Sequence, residues 1–97
     1  MRLRQSFWAM VGRNADVAPE SLVEEVRHVM LAQLDLYCGS DTIRLDYRIS
    51  CAADIVTLWY LRSDLMGAIA ATQGESFAKD RIVEVTDLFE GFRPGGK

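Results

Sequence analysis

Glu25 and His28 stand three residues apart, the spacing that sets both side chains on one helix face and that helical carboxylate-bridged metal proteins use. A dinuclear centre needs two such pairs and further inward carboxylates, so a twofold mate would have to supply the second half. His28 is the only histidine, with Glu24 and Glu25 beside it, and the simpler expectation is a solvated imidazole that pairs along its helix when protonated. No metal and no cofactor is expected here.

A serine or cysteine nucleophile would have to use that same imidazole as its base. Ser21, Ser40, Ser50, Ser63 and Ser76 fall mostly at caps or polar helix positions, and no acyl-transfer motif frames any of them. Cys51 is expected on or near a buried seam, where a raised pKa leaves a thiol inert. Cys38 and Cys51 are expected as reduced thiols rather than a disulfide, because the chain has enough apolar material for a core.

Pro94-Gly95-Gly96-Lys97 superficially matches a phosphate loop but lacks the following Ser/Thr and the helix whose N-terminus would bind the anion. The hexamer Trp59-Tyr60-Leu61-Arg62-Ser63-Asp64 sets an aromatic pair beside Arg and Asp, a combination that can line a small-molecule pocket. Its simpler reading puts Trp59 and Leu61 in the core with Arg62 and Asp64 solvated around them. With no catalytic set assembled, the chain is read as non-enzymatic.

These residues are carried by helical patterns. Residues 41–74 hold the most apolar material and the fewest breakers. Leu45, Ile49, Ala52, Val56, Trp59, Met66 and Ala70 form one seam in steps of three and four, interrupted at Ser63, and Ile55, Leu58, Leu65 and Ile69 widen it. Gly74 marks the far end as a C-terminal stop. One continuous helix here would be roughly 48 Å long, against a radius of gyration of about 13 Å for a compact chain of this size. Such a helix must bend, at Ser50-Cys51 or Gly67, or bury its overhang on another copy.

The near end carries a second pattern. Ile43, Leu45, Tyr47 and Ile49 alternate with Arg44, Asp46 and Arg48, which also fits a half-buried strand over 42–49. Helix is preferred, because the seam continues in phase and Cys38-Gly39-Ser40-Asp41 reads as one helix ending and another being capped. On the strand alternative, Ser50 caps a shorter helix.

Around that centre, Pro19 suits a helix first turn, with Glu20, Glu24 and Glu25 near the positive end of its dipole. Leu22, Val26, Val29, Met30, Leu34, Leu36 and Tyr37 give this helix a broad apolar face up to Gly39. Glu75 to Phe92 repeats the pattern, with Phe77, Ala78, Ile82, Val85, Leu88, Phe89 and Phe92 on one side. Leu3, Phe7, Met10 and Val11 predict a short first helix or, unpacked, an arm over residues 1–15, and residues 93–97 read as a disordered tail.

The expected fold is therefore all-α: one domain over 1–97, a small bundle of three to four helices with one long central helix. Apolar residues make up 49% of the chain and charged ones 26%, an ordinary globular balance that excludes a disordered chain. Asp54, Arg62 and Asp64 interrupt every run long enough for a bilayer. The opening MRLRQSFWAMVGRN lacks a long apolar stretch and a cleavage site, so secretion is not expected and a cytoplasmic location is.

The net charge of −3 is unevenly spread: Arg2, Arg4 and Arg13 precede any acid, whereas residues 16–41 carry six acids against Arg27 alone. This predicts docking of the N-terminal arm on an acidic helix face, within a protomer or across a dimer. The function expected is interaction through a homodimer and a protein partner, with Leu45, Ile49, Val56, Trp59, Tyr60 and Met66 as the contact residues. The alternative is a small dimeric nucleic-acid-binding regulator using Arg44, Arg48 and the N-terminal arginines. Under the strand reading, a strand followed by two helices is similar in topology to ribbon-helix-helix dimers, whose paired strands enter the major groove. A net acidic chain gains little from counterion release, so nucleic acid is the less expected partner.

Overall fold

The computed structural model describes residues 18–39, 42–89 and 92, and among them four helices and no strand. They are α1 (Glu20–Tyr37), α2 (Ile43–Ser50), α3 (Ile55–Gln73) and α4 (Glu75–Phe89). This is the small all-α bundle that the periodicity predicts. The first helix or arm, the Ser40-Asp41 cap, and the tail with its Pro94-to-Lys97 motif lie outside the described residues.

Pro19 sits at the N-cap of α1 rather than inside its first turn. Its carbonyl receives the amides of Leu22 and Val23 at 3.0 and 3.2 Å. Val23, Val26, Met30 and Leu34 then form a buried stripe in steps of three and four. Leu36, expected on that face, lies well round the helix from Met30 and is 68% exposed. At the far end, the Tyr37 carbonyl accepts from the Thr72 hydroxyl and, at 3.4 Å, from the Gln73 amide.

The continuous helix expected over 41–74 is divided beside Ser50-Cys51, one of its two expected weak points, and α3 with 19 residues remains the longest helix. Two side chains impose the break. The Arg27 guanidinium occupies the carbonyls of Ile49, Ser50 and Ala52 at 2.8–3.1 Å. The Asp54 carboxylate caps α3, accepting from the Thr57 amide at 2.9 Å and the Thr57 hydroxyl at 2.8 Å. The N-cap of this helix is thus Asp54 and not Ser50. Folding α2 back also removes the overhang that called for a second copy.

The strand alternative over 42–49 is overturned as well, because Ile43–Ser50 is helical. Its alternating apolar residues separate into two pairs four residues apart. Leu45 and Ile49 enter the core, while Ile43 and Tyr47 face outward at 78% and 68% exposure. A strand would have put all four on one side.

Along α3 the buried stripe is Ile55, Leu58, Leu61, Leu65 and Ile69. The seam of Val56, Trp59, Met66 and Ala70, expected to lead, is its half-buried flank. Gly74 alone joins α3 to α4: at φ +96° its amide closes on Ala70 and its carbonyl receives Ala78, so one residue ends one helix and starts the next. The result is an antiparallel hairpin. Trp59 meets Phe89 edge-on at 4.9 Å, and Arg62 donates to the Thr86 hydroxyl at 2.7 Å, each pair symmetric about Gly74.

Ala78, Ile82, Val85 and Phe89 of α4 close the core against α1. Gln33 donates to the Arg81 carbonyl at 3.1 Å and Tyr37 packs edge-on against Phe77 at 5.0 Å, which sets α1 antiparallel to α4. Each fully buried Leu, Ile or Phe contributes about 2 kcal/mol by leaving water. Three long helices therefore carry the core, and α2 is laid across one end of it.

Candidate interaction surface

Helix α2 is apolar on two opposite sides. Its inner side holds Leu45 and Ile49, at 8% and 0% exposure, and its outer side presents Ile43 and Tyr47. Of the residues expected as contacts, Leu45 and Ile49 are thus used inside the protomer and are unavailable to a partner. The spacing that places Ile43 and Tyr47 together was legible as an i, i+4 pair. Their direction was not, since either pair fits the core.

Arg48 of α2 pairs with Asp64 of α3 at 3.1 Å. Tyr60, one turn before Asp64 on the same face of α3, is 65% exposed. Ile43, Tyr47 and Tyr60 are three of the five large hydrophobic residues most exposed among those described, the others being Leu36 and Val83. Val56, Trp59 and Met66 are half-buried against the core instead. Trp59 is covered by Phe89 and by Arg62, whose guanidinium lies 3.7 Å from the ring centroid. Arg62 is therefore packed rather than solvated, and the hexamer splits into an edge of Trp59, Leu61 and Arg62 against the core and an exposed edge of Tyr60, Ser63 and Asp64.

The corner behind this surface is fixed by Arg27, which also forks onto both carboxylate oxygens of Glu24 at 3.1 and 2.9 Å. That hydrogen bond holds the Glu24 carboxyl below its ordinary range. The amide and then the hydroxyl of Thr57 do the same for Asp54. The Arg27 clasp had no signal in local sequence, whereas Asp54-x-x-Thr57 carries an N-cap signature.

The residues singled out for catalysis or metal do not converge. His28 and Glu25 are both exposed on α1 and share no hydrogen bond or ion pair among the described residues. Cys38 and Cys51 are free thiols. Burial pushes the Cys38 thiol up, while Cys51 is exposed at the corner and not on the buried seam. Ser21, Ser50, Ser63 and Ser76 are exposed. An open notch of about 270 Å³ lies between α1 and α2, lined by Leu34, Asp35, Cys38, Gly39, Thr42 and Asp46. Among the described residues no three His, Cys, Asp or Glu side chains gather as a metal site, and no helix is long and apolar enough to cross a membrane.

Comparison with protein-family models, with curated proteins and with solved structures finds no match to this chain.

Proposed function

We propose that this chain is a non-enzymatic interaction module that works by self-association, as a homodimer whose contact is built on Ile43, Tyr47 and Tyr60. The observation that carries this reading is the outer side of α2. A short helix that already commits Leu45 and Ile49 to the core gains nothing in folding from an isoleucine and a tyrosine held in water on its other side. Tyrosine offers a broad apolar ring with a polar tip, which suits a surface that is wet in the monomer and covered in a complex.

A second copy fits this face by charge. Arg44 and Arg48 are balanced by Asp46 and Asp64 around the apolar residues, so two acidic chains can meet there without local repulsion. The dimer in turn presents its remaining surface to a protein partner. In this reading the protein acts in the cytoplasm with reduced thiols. A nucleic-acid role is less favoured, since the ribbon entry required a strand where α2 stands. Sedimentation equilibrium of Tyr47→Glu tests the proposal: a folded monomer supports it, and a dimer as tight as the unaltered chain overturns it.

A further inference from the structure

Residues 50–54 read Ser-Cys-Ala-Ala-Asp, without glycine or proline, and alanine is the strongest helix former. Apart from the Asp54 cap of α3, local chemistry does not stop a helix there, yet α2 and α3 meet at a corner. The rest of the hold comes from another helix. Arg27 Nη1 donates to the carbonyls of Ile49, Ser50 and Ala52, and its other nitrogens are fixed by Glu24.

In a continuous helix the Ile49 and Ser50 carbonyls would receive the amides of Ala53 and Asp54. The Ala53 amide makes no hydrogen bond among the described residues. One guanidinium therefore competes for the acceptors that two backbone amides need.

We infer that Arg27 is a latch on a helical hinge: while it holds the corner, α2 stays folded on its own α3–α4 hairpin, and when it releases, residues 43–73 join into one helix that delivers α1 and α2 to the hairpin of a second copy. The joined helix is roughly 46 Å long. It lifts Leu45, Ile49 and the α1 stripe from their own hairpin, and the identical hairpin of a second copy restores the same burial, so exchange yields a dimer at little cost. The hinge is separate from the outer side of α2, and it stands whether or not that side is a contact.

The test is made in Tyr47→Glu, which removes association through the outer side. Adding Arg27→Ala is expected to raise the dimerisation constant by about ten-fold and to slow amide exchange at Asp54 by about ten-fold. Adding Ala53→Pro should reverse both, because proline lacks the amide and clashes with the Ile49 carbonyl of a continuous helix, while at the corner Ala53 is exposed and its amide has no hydrogen bond to lose among the described residues. Unchanged mass with unchanged exchange, or a dimer that Ala53→Pro leaves intact, overturns the inference. Should Arg27→Ala fail to fold, Asp54→Ala weakens the same corner from the α3 side, and exchange at Ala53 that does not slow in it overturns the inference equally.

Discussion

Arg27 of α1 donates to the main-chain carbonyl of Ile49 at the end of α2, at 2.9 Å, and with the same nitrogen reaches Ser50 and Ala52. A cation is thereby fixed at the negative end of a helix, where the Ile49 carbonyl also receives the Ala52 amide, at 3.3 Å.

Replacing Arg27 by Ala is expected to lower the unfolding free energy by about 2 kcal/mol, the scale of a charge-assisted hydrogen bond lost from a half-buried site. Arg27→Lys should recover less than half, because a single ammonium cannot fork between Glu24 and three carbonyls. Urea midpoints at low protein concentration measure both.

Asp54 gives the chain an acid dependence. Its folded-state pKa lies below the ordinary range, so its stabilisation is complete at neutral pH and is lost as pH falls through that depressed value; Glu24, held down by Arg27, acts in the same direction. Asp54→Asn keeps an acceptor for Thr57 without the charge, and should flatten the stability curve below about pH 5. Asp54→Ala should cost about 1 kcal/mol at neutral pH by removing the cap. Thermal melts across pH distinguish the two.

Gly74→Ala is expected to cost about 2 kcal/mol, because φ +96° with ψ 156° is a conformation that only glycine adopts freely. A Cβ there meets no atom within 4 Å, so the cost is backbone strain and not a clash. A Gly74→Asn variant that matched Ala would agree with this, and an unaffected Ala variant would contradict it.

The stripe within α3 makes a sharper contrast. Leu65→Ala should cost about 3 kcal/mol and Met66→Ala about 1 kcal/mol, although they are neighbours of similar size. Leu65 is fully buried, whereas Met66 only flanks the core. Equal costs would restore the seam through Trp59 and Met66 as the true inner face.

That contrast shows what the amino-acid order reveals. The helices around Met30, Leu65 and Ile82 were legible from apolar spacing, and Gly74 from its conformational freedom. On α3, two adjacent stripes were both apolar, and only α1 and α4 decide which one turns inward. The corner at 51–54 was legible only as one of two weak points, Ser50-Cys51 or Gly67, because its principal determinant, Arg27, lies more than twenty residues away, although Asp54-x-x-Thr57 marked where α3 starts. Tyr60 belonged to the expected contact set and is exposed, while Ile43 and Tyr47 were obscured by an alternation that served strand and helix alike.

The most direct measurement of self-association is the light-scattering mass of the unaltered chain over a wide concentration range, beside that of an Ile43→Glu/Tyr47→Glu double variant with the same helical spectrum. Twice the chain mass for the first and a single chain mass for the second is the predicted result. A single chain mass for the unaltered protein at every concentration would contradict it.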